Sequence, residues 1–221
     1  QAGVLVAYRQ PLRATKASGV MINIEQQLWG MNPEGEAIVI YKITNDCGAE
    51  VQLTNLGAAV VAIKVPDREG KIENVLLGSA TAEEAMRDTL HLGKIVGRYA
   101  GLIGSARFSL GEQEYHLEPN ASRHHVDGGA KALQHRLWES RVEYNRIVME
   151  LESPDGESGY PGSLYVQVIY DFDDDCSFEI TVRAAADHDT PLNIASNLCF
   201  NLDGAESGSV LDHQLKVNAT T

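Results

Sequence analysis

No apolar run in this sequence is long enough to cross a bilayer, so no transmembrane segment is expected. Val4 to Ala7 is too short for the core of a secretory signal. Basic residues are scarce, with 18 Lys and Arg against 31 Asp and Glu and a net charge of −13. That balance excludes nucleic acid as an expected partner, because phosphate binding needs clustered cations. Cysteine is rarer still. Cys47, Cys176 and Cys199 are odd in number and share no close spacing, so neither a disulfide framework nor a zinc site is suggested. Three buried or half-buried thiols are expected instead. No repeat, low-complexity tract or linker interrupts residues 30 to 221. What remains is a chain of 221 residues, 43% hydrophobic, with the composition of an ordinary soluble globule and enough length to bury a core.

Charge is unevenly placed. Residues 1 to 24 hold Arg9, Arg13 and Lys16 and none of the acidic residues. Residues 1–29 therefore read as a basic arm that docks on a partner, as the remnant of a targeting peptide, or as a tail. Beyond it the pattern is that of strands. Glu36 to Thr44, Val51 to Asn55 and Ala59 to Val65 are rich in β-branched residues and are separated by Asn45-Asp-Cys-Gly48 and Gly57. Thr81-Ala-Glu-Glu84 has the capping-box pattern and opens one short helix, to about Asp88. Ala106 to Leu110 and Gln113 to Leu117 predict a hairpin around Gly111-Glu112. The clearest period of two places Leu164, Val166, Val168, Tyr170 and Phe172 on one face. A turn at Asp173-Asp-Asp175 leads to Phe178, Ile180, Val182 and Ala184; the three aspartates lack calcium-loop spacing and read as a solvated turn. The fold class is all-β: one antiparallel domain, nearly free of helix.

Chemistry, if any, is expected in Asn120-Ala-Ser-Arg-His-His-Val-Asp-Gly-Gly129, which gathers two imidazoles, a carboxylate and two glycines. On an extended backbone His125 and Asp127 would share a face. The simpler reading is a polar loop, with Asp127 bonded to its own turn and His125 to Asp127. No metal is expected, since adjacent histidines such as His124 and His125 splay apart and no distant further ligand is apparent. Trp138 could stack on a ligand face but reads first as core.

Several stretches together resemble the aldose 1-epimerase (galactose mutarotase) family. They are Leu53-Thr-Asn-Leu-Gly-Ala58, Ala62 to Gly70, Val96-Gly-Arg-Tyr-Ala100 with Ile103, Phe108 to Tyr115, and His125-Val-Asp-Gly-Gly129. Arg136-Leu-Trp138, Ser153-Pro-Asp-Gly-Glu-Ser-Gly-Tyr-Pro-Gly162 and Thr190-Pro-Leu-Asn193 to Phe200-Asn-Leu202 complete the series, from about Asn32 onward. The resemblance implies an antiparallel β-sandwich of the galactose-mutarotase type over residues 30–221, short at its C-terminal end. It implies a sugar cleft and interconversion of the two anomers of a hexose without a cofactor. That reaction needs a general acid at the ring oxygen and a general base at the anomeric hydroxyl. The family supplies a His acid, a second His, a Glu base from its C-terminal part and a sugar-binding Arg.

Matched position by position, the chain departs at each of these. The motif His of Leu-His-Gly-Gly is Asp127, the His of Asn-His-Ser-Tyr-Phe-Asn-Leu is Asn197, and the Asn-Arg after Gly-Arg-Tyr-Ala is Gly101-Leu102. The chain ends at Thr221, before the segment expected to carry the base. An aspartate in water is ionised at neutral pH and donates no proton unless burial raises its pKa strongly. Asn197 and Asn193 can bond sugar hydroxyls but cannot shuttle protons. Asp127 and His125 are the catalytic candidates, His125 being the one substitute imidazole the sequence offers. The expectation is a family member impaired in catalysis that acts as a binding or structural subunit; the alternative is an active epimerase with a rebuilt acid. A protein partner would meet residues 1–24 or an open C-terminal edge. Compartment stays open between cytoplasm and organelle.

Overall fold

The computed structural model describes residues 4–10 and 22–219. The remainder of the basic arm, residues 1–3 and 11–21, lies outside the described residues. In chain order the elements begin with β1 (Val4–Gln10), β2 (Asn23–Met31), β3 (Ala37–Thr44), β4 (Glu50–Thr54), β5 (Ala59–Pro66) and β6 (Ile72–Asn74). Helix α1 (Ala82–Arg87) follows, then β7 (Ile95–Val96), β8 (Leu102–Ile103), β9 (Arg107–Leu110), β10 (Gln113–His116) and β11 (His125–Val126). The last elements are β12 (Glu139–Glu143), β13 (Arg146–Ser153), β14 (Leu164–Phe172), β15 (Phe178–Ala186) and β16 (Ala195–Ser196).

Two five-stranded antiparallel sheets result, in the orders β2-β3-β4-β5-β6 and β1-β15-β14-β13-β12. They face each other across one core. Tyr41, Ile43, Val51, Leu53, Val60 and Ile63 of the first sheet pack in the same cluster as Ile147, Met149, Val166, Val168, Tyr170 and Ile180 of the second. The alternation read from β14 is the physical basis: Leu164, Val166, Val168, Tyr170 and Phe172 are all buried. Each such side chain contributes about 1.5–3 kcal/mol by leaving water. Two buried tyrosines also span the layers: the Tyr170 hydroxyl donates to the Ala58 carbonyl, and Tyr41 shares a 2.9 Å hydroxyl bond with Ser140. Trp138 is core, 2% exposed, its indole N–H donating to the Leu133 carbonyl at 3.0 Å.

Helix α1 is capped as its sequence foretells. Thr81 Oγ1 accepts from the Glu84 amide at 3.2 Å, and Glu84 reaches back to the Ala80 amide at 2.8 Å. Its docking against β2 depends on Gly30, where a Cβ would sit 2.6 Å from that of Ala82. Strand β2 runs across the boundary drawn between residues 29 and 30 and pairs along β3. The hairpin β12–β13 carries no clean period of two, because Ile147, Val148 and Met149 are buried in succession. Beyond Asn201 the described chain carries neither helix nor strand, and Leu211 and Leu215 are 90% and 89% exposed.

Candidate functional site

Strand β7 and the segment Thr190 to Asn201 lie side by side above the core, joined by Ala195↔Val96 pairing and by the Tyr99↔Asn193 bridge. Between them the Val96-Gly-Arg-Tyr motif places Arg98, which is 2% exposed. Its guanidinium donates to the carbonyls of Ser153 (2.7 Å), Pro154 (2.9 Å), Pro161 (3.2 Å) and Gly162 (2.7 Å) and to Ser153 Oγ (2.9 Å). The cation also lies 5.7 Å from the centre of the Tyr160 ring. Arg98 therefore folds the Ser153–Gly162 run into shape. Burial pushes its pKa down, and neighbouring Glu157 works the other way. Gly159 turns at φ +91, where a Cβ would stand 2.4 Å from the His116 carbonyl oxygen, which supports its reading as turn architecture.

Asp127 does not continue the extended backbone. Its φ is +51, so the expectation that it shares a face with His125 is corrected: strand alternation ends at Val126. His125 is fully buried, edge-on to Tyr160 with ring centres 5.3 Å apart, and its Nδ1 bonds the Glu118 carbonyl at 2.6 Å. Its partner is thus Glu118, not Asp127. His124 turns elsewhere, accepting from the Ser105 amide at 3.0 Å. Near His125 a cavity of about 10 Å³, lined by Arg98, Gly128, Ser158 and Tyr160, has the room of a single water. No hexose fits there.

Asp127 instead grips the segment that replaces the expected Asn-Arg. Its Oδ1 accepts from the Gly101 amide at 2.7 Å, and its own amide donates back to the Gly101 carbonyl at 3.0 Å. Gly101 holds φ +94, a conformation that suits glycine. Leu102 next to it is 61% exposed. Two departures from the family pattern, distant in sequence, are bonded to each other. The asparagines are likewise engaged with backbone: Asn193 Nδ2 donates to Ala100 O at 2.8 Å, and Asn197 Nδ2 to Leu90 O at 2.6 Å. Their Oδ1 atoms have no protein donor among the described residues.

Sequence reasoning missed two other imidazoles. His91 and His135 meet edge-to-face, ring centres 4.9 Å apart, and His91 lies within electrostatic reach of Asp127. Asn197 adjoins them, since its side chain holds the carbonyl of Leu90. Gln134, beside His135, donates to the Asp127 carbonyl at 2.6 Å. Burial first, then the Lys94 cation, lowers the His91 pKa, opposed by Asp88 and Asp127. Burial, then His91 and Lys94, lowers that of His135. Both rings are held toward the neutral form. Lys94 is itself buried and pushed down by that burial, its ammonium donating to Ala85 O at 2.7 Å. The available signal was position: His91 precedes the Gly-Arg-Tyr motif closely, and His135 directly precedes Arg136-Leu-Trp138. Among the described residues no three His, Cys, Asp or Glu side chains are grouped as metal ligands.

The profile of the aldose 1-epimerase family matches residues 39–221. The chain belongs to the aldose 1-epimerase family. It is 34% identical to the galactose mutarotase of Mus musculus over 200 residues, 90% of this chain and 58% of that protein. It is 31% identical to the aldose 1-epimerase of Escherichia coli (strain K12) over 188 residues, 85% of this chain and 54% of that one. Among solved structures, galactose 1-epimerase from Lactobacillus acidophilus NCFM superposes with a TM-score of 0.73 at 24% identity, covering 82% of this chain and 54% of that one. A GalM/aldose epimerase homologue from C. elegans gives 0.70 at 29% identity, covering 74% and 50%. This member of the aldose 1-epimerase family thus spans little more than half the length of the relatives it matches. Their likeness bears out the antiparallel β-sandwich of the galactose-mutarotase type.

Proposed function

We propose that this chain is a carbohydrate-binding member of the aldose 1-epimerase family in which proton transfer at the anomeric centre is lost. The observation that carries this is the reciprocal clasp between Asp127 and Gly101, at 2.7 and 3.0 Å. Anomer exchange needs a proton delivered to the ring oxygen as another leaves the anomeric hydroxyl. At the position where the family resemblance implies the acid, a carboxylate accepts a backbone N–H. The N–H comes from Gly101, at the position of the expected Asn, and the expected cation beside it is replaced by Leu102. The pKa values of His91 and His135 are both lowered, by burial first and then by Lys94 and by His91 respectively, which disfavours the charged form a proton donor needs. The Oδ1 atoms of Asn193 and Asn197 remain as acceptors for sugar hydroxyls.

A second reading rests on His91. Within electrostatic reach of Asp127, a neutral imidazole has the chemistry of a general base, and an active epimerase would use it with a rebuilt acid. One experiment separates the two readings. Titration with galactose or glucose, followed by amide NMR, is expected to shift the resonances around Gly101, Asp127, Asn193 and Asn197. Magnetisation exchange between the α and β anomers should stay at its protein-free rate. Faster exchange that His91→Asn abolishes would establish the second reading, and unmoved amides would overturn the first.

A further inference from the structure

Two turns far apart in the sequence, one carrying Cys47 and the other Cys176, come together where the two sheets meet. The β3–β4 turn is closed by Asn45, whose amide donates to Ala49 O at 3.1 Å and whose carbonyl accepts from the Gly48 amide at 3.0 Å. The β14–β15 turn is closed by Asp173, whose Oδ1 accepts from the Ser177 amide at 2.8 Å. The Asn45 carboxamide, 5% exposed, joins these turns: it accepts from the Ala49 amide at 3.0 Å and donates to Asp173 O at 3.5 Å and to Cys176 Sγ at 3.0 Å. Cys47 lies two residues beyond Asn45 in the β3–β4 turn, which places its thiol close enough to act electrostatically on that of Cys176. Cys47 is exposed and Cys176 buried, which corrects the expectation that all three thiols are at least half-buried.

We propose that Cys47 and Cys176 are a thiol–disulfide exchange pair, with Cys47 as the attacking thiol, Cys176 as the resolving one, and a disulfide oxidant such as oxidised glutathione as co-reactant. The roles follow from access. A bulky disulfide reaches only Cys47. The Cys47 thiolate attacks one glutathione sulfur, the glutathione S–S bond breaks, and a first glutathione thiolate leaves with the bonding pair. Cys176 then loses its proton, attacks the Cys47 sulfur and expels the second glutathione thiolate. Two protein thiols are oxidised, one oxidised glutathione is reduced to two thiols, and the two protons end on those thiols. Burial raises the Cys176 pKa, and the Asn45 N–H favours the thiolate form against it, so the carboxamide supports the resolving step. The cross-link needs the two sulfurs to approach to roughly 2.05 Å, between turns that the Asn45 carboxamide already holds together. The product links a turn of one sheet to an adjoining turn of the other and encloses residues 47 to 176, most of the chain.

The test is to incubate the purified full chain with oxidised glutathione and map its peptides without reduction. The expected product is an intramolecular Cys47–Cys176 cross-link with Cys199 still open to alkylation. Cys176→Ser should trap one glutathione on Cys47. Cys47→Ser, a change at an exposed position that leaves folding intact, should leave Cys176 unmodified. Oxidation should raise Tm by about 10 °C, reversed by dithiothreitol, because the link closes a loop of more than a hundred residues. A lasting glutathione adduct on wild-type Cys47, a cross-link to Cys199, no exchange, or a cross-link without a rise in Tm would each overturn the proposal.

Discussion

Arg98 and Asp127 sit in neighbouring segments and have opposite histories with respect to the family pattern. Arg98 keeps its motif, is buried, and spends its bonds on four backbone carbonyls and the Ser153 hydroxyl of the Ser153–Gly162 run. Asp127 departs from its motif, is half-exposed, and yet also bonds backbone, at Gly101. The retained residue and the replaced one thus do the same kind of work. Motifs that hold the sandwich together persist here, and Asp127 and Asn197, which stand where the resemblance implies histidines, bond loop backbone. Fold and chemistry are separable, because the first rests on burial and satisfied carbonyls and the second on a few unsatisfied, aimed groups.

That contrast can be broken by substitution. Arg98→Met should have the largest effect, about 3–5 kcal/mol of unfolding free energy in urea titration, since it leaves several buried carbonyls without a donor. A loss under about 1 kcal/mol would show that the Ser153–Gly162 run holds itself. Asp127→Ala should cost about 1–2 kcal/mol through the lost clasp, and Asp127→Asn less, because the carboxamide oxygen still accepts from Gly101. Equal losses for the two would mean that charge, not the bond, matters there. Asn197→Ala should cost about 0.5–1.5 kcal/mol by freeing the Leu90 carbonyl.

The smallest effect concerns pH. His91 and His135 have folded pKa values below their ordinary value, so the unfolded chain binds protons first as pH falls through about 6.5. Their contribution to stability is present above that value and is lost as pH drops through the folded pKa. The urea midpoint should therefore fall between pH 7 and 5, and His91→Asn should flatten that fall. An unchanged slope would mean that His91 titrates alike in the folded and unfolded chain.

Much of the fold was legible in the sequence because β14 and β15 are buried on one face only, so their apolar residues alternate. Strand β2 was not, since most of its side chains are exposed along an edge. The β12–β13 hairpin was missed because Val148 is buried between Ile147 and Met149, which erases the period. At the site, Asp127 was found but its orientation was not. Its left-handed φ cannot be read from neighbours that suggest a strand. His91 and His135 lie 44 residues apart and are joined only by folding. Residue type announced the departures from the family motifs at Asp127 and Asn197; only the folded chain shows what those side chains hold.

The most direct measurement is polarimetry of freshly dissolved α-galactose or α-glucose at neutral pH, with and without the purified chain. The optical rotation should decay at the buffer rate, and equally so for wild type, Asp127→Asn and His91→Asn. A wild-type decay clearly faster than buffer, slowed by either substitution, would contradict the loss of proton transfer.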